Sequence, residues 1–281
     1  MIHQRIHLKE YFPQLGNESV DPTLTLFLPD VLVEMGRQNQ KRPCLLICPG
    51  GAYAWCSQRE AEPVAVHFLP EGFNVFVLDY SVAPSRFPTQ LREVAAALEL
   101  IHSNADAWHC DVRRVGIMGF SAGGHLAAHY STCFDCPEVR QVFPDSKPVQ
   151  ASILCYPVIS ADSAVAHLGS FENLLGHSPL TVEETERFSC NLRVTEHTPP
   201  TFLWHTASDG TVPVMNSLLY AQALAGHQVP FELHVYPAGG HGLATADEHT
   251  NNQLEPGATH AKAWLDAARK WLRMTFAGEE N

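Results

Sequence analysis

No stretch of about 18 apolar residues occurs in this 281-residue chain, so no membrane-spanning helix is expected. There is no basic run either, and the formal charge is −12, which makes nucleic acid and anionic membrane surfaces poor partners. The N-terminus, Met1-Ile2-His3-Gln4-Arg5-Ile6-His7, lacks the apolar core and small-residue cleavage site of a secretory signal. The eight cysteines, at positions 44, 48, 56, 110, 133, 136, 155 and 190, therefore read as reduced thiols of a cytoplasmic protein rather than as a disulfide framework. Cys44, Cys48 and Cys155 fall inside apolar runs, where a thiol behaves as a small buried hydrophobe. Cys133 and Cys136 form a C-x-x-C with no second pair and no histidine at a suitable spacing, so a zinc site is not expected. The glycine-rich segments lack the lysine and Ser/Thr of a phosphate loop. No metal and no cofactor is expected. Internal repeats and low-complexity segments are also missing, and a hydrophobic content of 45% excludes disordered and fibrous classes.

What is present is an alternation of short apolar runs and amphipathic segments. The runs 23–28, 43–48, 73–78, 114–118, 151–156, 201–206 and 231–236 read as strands, the first of them antiparallel. Helices are expected over 58–71, 89–104, after residue 121, 214–226 and 258–275; Leu91, Val94, Ala95, Leu98 and Ile101 share one face of the second. Residues 1–20 read as an irregular arm. Such alternation predicts an α/β fold: one domain over 1–281, with a mostly parallel central sheet and helices on both faces. Residues 157–198 hold several Ser, Pro and Glu and no strand pattern, and read as a small helical insertion, a candidate cap over a site.

Gly119-Phe120-Ser121-Ala122-Gly123 fits G-x-S-x-G, in which a serine rides a sharp turn between a strand and a helix. A serine hydroxyl is a poor nucleophile at neutral pH; it needs a base in hydrogen-bond reach, a group to orient that base, and N–H donors for the oxyanion that forms. Asp209, just past the run ending at Thr206, is the acid candidate, although Asp-Gly is also an ordinary turn pair. His241, in the glycine-rich loop after Tyr236, is the histidine candidate among 16. Pro49-Gly50-Gly51-Ala52-Tyr53, after an early strand, offers N–H groups unobstructed by side chains, with the Ala122 N–H as a second wall. Asp79, at a strand end, is a rival acid that stands before the serine. Tyr53, Trp55 and Tyr80 flank these segments as candidate substrate contacts, and Met215 and Asn216 shape the loop after Asp209.

Taken together with Asp79-Tyr80-Ser81-Val82-Ala83-Pro84, Asp209-Gly210-Thr211-Val212-Pro213, Asn216-Ser217 and His241-Gly242-Leu243, these motifs make the chain resemble the α/β-hydrolase superfamily over nearly its whole length. More closely it resembles the esterase/lipase group that includes acetylxylan esterases and hormone-sensitive-lipase-like carboxylesterases. The resemblance implies an α/β-hydrolase fold, Ser121 as nucleophile, His241 as base, Asp209 as orienting acid, and Gly51, Ala52 and Ala122 as oxyanion donors. One departure stands out: the usual His-Gly-Gly-Gly run is Pro49-Gly50-Gly51-Ala52 here, which leaves the choice of oxyanion donors open.

The activity expected is hydrolysis of a small-molecule carboxylic ester with a short acyl group, acetyl first. A sugar or xylo-oligosaccharide as the alcohol follows from the resemblance alone. Two alternatives stand beside it: a small serine peptidase of the prolyl-oligopeptidase kind, since the same triad serves amides, and a non-catalytic binding protein on a hydrolase scaffold. A homodimer is left open.

Overall fold

β-Branched and aromatic runs bounded by turn residues lie side by side in one eight-stranded sheet. The structure is a computed structural model and describes residues 1–277. The strands are β1 (Ile2–His7), β2 (Thr23–Leu28), β3 (Arg42–Cys48), β4 (Asn74–Asp79), β5 (Cys110–Phe120), β6 (Ala151–Cys155), β7 (Thr201–Thr206) and β8 (Phe231–Tyr236), in the order β1-β2-β4-β3-β5-β6-β7-β8. β2 pairs antiparallel with both β1 and β4, and every other pairing is parallel. The parallel strands are apolar on both faces because both faces are covered. Cys44, Leu46 and Cys48 of β3 enter one core with Leu91, Leu98 and Leu126; Leu45 and Ile47 enter the other with Phe68, Trp264 and Leu272.

Three expectations are corrected. The first residues are not an irregular arm: Ile2–His7 pairs along its whole length with β2. Its pattern hides this, because all but Ile6 are exposed on an edge strand. The helix expected over 58–71 is broken into short turns at Gln58–Glu60, Glu62–Ala65 and Leu69–Glu71. Pro63 and Pro70 remove backbone donors there, so no continuous helix can run through. Tyr156, read as part of a strand, lies just beyond β6 at a positive φ of 35°. The segment 157–198 carries the helices Leu168–Leu175 and Val182–Phe188, the latter opened by a Thr181–Glu184 capping box.

The parallel strands all deliver their carboxyl ends to one edge of the sheet. Cys48 of β3 is level with Gly119 of β5, Phe120 with Cys155, Cys155 with Trp204, and Thr206 with Tyr236. Loops separated by many residues of sequence thus open onto one crevice. Beneath them, Trp204 stacks on Trp264 with ring centroids 5.1 Å apart, and the Trp264 indole N–H donates to the Ala244 carbonyl at 2.9 Å. This contact anchors the C-terminal helix under the β8 loop. Trp264→Ala should destabilise the protein by about 3–5 kcal/mol, since it removes a fully buried ring and orphans a carbonyl; urea denaturation should show a lower midpoint, with Trp264→Phe intermediate.

Candidate active site

Ser121 follows β5 and opens the helix Ser121–Cys133 with φ at 52°, in the left-handed region that a residue with a Cβ occupies at a penalty on the order of 1–2 kcal/mol. Its glycine neighbours are there for close approach. A side-chain carbon at Gly119 would lie 2.1 Å from the Gly123 carbonyl oxygen, and one at Gly123 would lie 2.2 Å from that of Cys48. The helix therefore lies directly against the end of β3, and the N–H groups of its first turn have no intrahelical acceptor.

Ser121, His241 and Asp209 come together. The Ser121 Oγ is 2.7 Å from His241 Nε2, and His241 Nδ1 is 2.6 Å from Asp209 Oδ2. A carboxylate only accepts, so Nδ1 carries the proton and Nε2 is the acceptor for the serine hydroxyl. Asp209 Oδ1 accepts the N–H groups of Thr211 and Val212, both at 2.9 Å, which fixes the acid within its own turn. His205, at the end of β7, lies beneath the acid and was missed in the sequence because it sits in an apolar strand. Its Nε2–H donates to the Val212 carbonyl at 2.9 Å and is 3.4 Å from Asp209 Oδ2, while Ser217 Oγ is 2.8 Å from Nδ1. Burial alone would raise the pKa of Asp209; hydrogen bonds from His205, His241 and the Val212 N–H outweigh it and hold the carboxyl well below the usual range.

On the opposite wall, Gly51, Ala52 and Tyr53 have φ values of 125°, 55° and 57°. The Gly50 N–H is taken by Glu60 Oε2 at 2.8 Å. The N–H groups of Gly51 and Ala52 donate to no backbone carbonyl or side chain among the described residues, and Ala122 is too near its helix start to have an intrahelical acceptor. The N–H groups of Gly51 and Ala52 in this loop and of Ala122 at the helix start are thus left without an acceptor among the described residues, whereas that of Gly50 is taken.

A cavity of about 280 Å³ opens above Ser121 and His241. Trp55, Ser57, Arg59, Glu60, His167 and Thr211 complete its wall, and no Val, Leu, Ile, Met or Phe side chain lines it. Of the three aromatic candidates only Trp55 is there, and it is 60% exposed. Tyr53 and Tyr80 are buried, which corrects their reading as substrate contacts. The Tyr53 hydroxyl is committed to His125 Nδ1 at 2.8 Å and the Tyr80 hydroxyl to the Pro49 carbonyl at 2.6 Å, so both brace the 49–53 loop from behind. The rival acid Asp79 faces Arg5, with 4.0 Å between Oδ2 and Nη2, in a separate cavity. Asn216 does shape the loop after Asp209: from the helix Met215–Gly226 its Nδ2 donates to the Pro213 carbonyl at 3.0 Å, while its Oδ1 accepts the Ile159 and Ser160 N–H groups. Met215 is half exposed and lines no part of the cavity.

With this strand order and these loop positions, the chain is an α/β-hydrolase. It belongs to the BD-FAE family, whose model matches residues 30–224. It is 37% identical to an endo-1,4-beta-xylanase B of Butyrivibrio fibrisolvens over 79% of its own length and 36% of that protein's. It is 32% identical to an acetylxylan esterase of Xylanibacter ruminicola over 73% of its length and 42% of that protein's. The chain therefore spans less than half of either curated relative. An acetyl ester-xyloside bifunctional hydrolase from Caldicellulosiruptor lactoaceticus superposes with a TM-score of 0.81 at 35% identity, covering 96% of both chains.

The lowered pKa of Asp209 has a defined consequence for stability. A carboxylate whose folded pKa lies below its unfolded value stabilises the fold fully above the unfolded value near 3.8, and that contribution is lost as pH falls through the folded value. The stability difference between wild type and Asp209→Asn should therefore be level from pH 7 to pH 5 and shrink below pH 4, as read from urea midpoints across that range.

Proposed function

We propose that this chain is a serine carboxylic-ester hydrolase that removes short acyl groups, acetyl above all, from polar alcohols such as acetylated xylo-oligosaccharides. The observation that carries the reading is the hydrogen-bonded Ser121–His241–Asp209 relay opening into a small cavity whose side chains, Trp55 and Ala52 apart, are polar. A long acyl chain would meet hydroxyl, imidazole and guanidinium groups there and bury little apolar surface. The Trp55 face and the hydroxyls of Ser57 and Thr211 suit a sugar ring. The names borne by the xylan-active relatives point the same way.

In this mechanism Ser121 Oγ attacks the ester carbonyl while His241 Nε2 takes its proton. The carbonyl oxygen, now negative, is held by the N–H groups of Ala122 and of Gly51 and Ala52. Asp209, kept ionised by its hydrogen bonds, orients the imidazole and stabilises the imidazolium. The alcohol leaves with the proton from Nε2. Water, deprotonated by the same nitrogen, then releases the acid from the acyl-serine. No step calls for a metal. Residues 157–198 act as a partial roof: His167 lines the cavity, and the Asn173 side chain donates to the Ala52 carbonyl at 2.9 Å, tying the insertion to the oxyanion loop. The eight free cysteines suit a reducing compartment, in keeping with a cytoplasmic placement.

Initial rates on p-nitrophenyl acetate, butyrate and octanoate should fall steeply with acyl length, and Ser121→Ala should abolish the acetate activity. Equal or rising rates toward octanoate would contradict the short-acyl assignment. Asp209→Asn should keep substrate binding but lose about 10⁴-fold in kcat, because an amide can hold the imidazole in the wrong tautomer.

A further inference from the structure

The mechanism leaves a buried carboxylate without a role. Glu60 is 2% exposed and belongs to the short turn Gln58–Glu60 after the oxyanion loop. Both its oxygens are held by neutral donors: Oε2 by the Gly50 N–H at 2.8 Å and Oε1 by the Tyr156 hydroxyl at 2.7 Å. Tyr156 is 2% exposed, and its hydroxyl also accepts the Ala244 N–H at 2.9 Å. Its ring meets the His241 ring edge-on, with centroids 5.1 Å apart.

One line of hydrogen bonds therefore runs from Gly50 through Glu60 and Tyr156 to Ala244. It joins the loop carrying the oxyanion donors to the loop carrying His241. Nothing in the sheet does this, since β3 and β8 are separated by β5, β6 and β7. The chemistry at the centre is specific. Glu60 faces an N–H on one side and an O–H on the other, so it must accept on both, which a carboxylate does and an amide cannot. Its grip on Gly50 also takes that N–H out of the oxyanion hole and fixes the turn into Gly51 and Ala52.

We propose that Glu60 and Tyr156 are a positioning pair that holds the oxyanion loop and the His241 loop in one register, and that they act on the transition state rather than on ester binding. The inference rests on the esterase reading above. Donors and base must lie within a fraction of an ångström of their places as the oxyanion forms, and small misplacements lower rates steeply without weakening ground-state binding.

The test is kinetic, on p-nitrophenyl acetate, with wild type, Tyr156→Phe, Glu60→Gln and the double variant, each checked for folding by thermal melting. Each single variant should lose roughly 10–100-fold in kcat with KM within about threefold, and the double should be no worse than the poorer single, because both break one chain. Tyr156→Phe removes only a hydroxyl and keeps the ring against His241. If Glu60→Gln does not fold, Tyr156→Phe decides alone, through the same kcat-against-KM split and slower fluorophosphonate labelling of Ser121. Unchanged kcat in Tyr156→Phe, a raised KM with kcat intact, or losses that multiply in the double variant would each overturn the inference. A wild-type chain that hydrolyses no ester and takes no fluorophosphonate would instead sink the esterase reading itself.

Discussion

The approach of the helix Ser121–Cys133 to the end of β3 is the constraint on which the site depends. With Gly123 against the Cys48 and Pro49 carbonyls and Gly119 against Gly123, the chain has room to reverse direction at Ser121 only by entering the left-handed region. The strain at that one residue is held by the packing around it, because Phe120 and Ala122 on either side are fully buried. The same contact brings the helix N-terminus beside the loop after β3, so Ser121 and the loop residues Gly51 and Ala52 are placed by one packing event. A larger residue at position 123 would separate them.

Charge beside the His241 imidazole is arranged around one acid. Asp209 is out of water, yet it gains hydrogen bonds from two backbone N–H groups and the His241 imidazole, with His205 close by, and these more than offset its desolvation. Its negative charge thereby lies against the His241 imidazole across a 2.6 Å hydrogen bond. On the far side of the cavity, Glu60 contributes a second buried carboxylate, held by neutral donors alone. The two acids have different partners: the first faces the His241 imidazole, the second the Gly50 N–H and the Tyr156 hydroxyl.

Much of this was legible in the chain. Apolar runs at 43–48, 114–118, 151–156 and 201–206 mark strands covered on both faces, and each appears within a few residues of its expected place. Ser121, Asp209 and His241 were readable because a nucleophile turn, an acid past one strand and a histidine past the next occur in a recognisable order, and they meet at hydrogen-bond distances. The misses share a cause. Ile2–His7 is polar on an exposed edge, so periodicity carries no signal there. Tyr53 and Tyr80 are near the serine in motif, but their hydroxyls are drawn inward by His125 and Pro49. Glu60, Tyr156, His167 and His205 belong to no local pattern, because the partners that define their roles lie on other strands and loops.

The sequence by itself determined the fold class, the order of the strands from β2 to β8, and a serine, an acid and a histidine that meet at hydrogen-bond distance, since these follow from local periodicity, turn chemistry and position relative to strand ends. Only the tertiary structure decided which aromatics face the cavity, which N–H groups remain free in the oxyanion loop, and how the His241 loop is held to it. Those outcomes depend on distances between segments far apart in the chain. The hydrogen bond from the Gly50 N–H to Glu60, and from there to Tyr156 and Ala244, exists only once β3, β6 and β8 lie in one sheet with their carboxyl ends on the same edge.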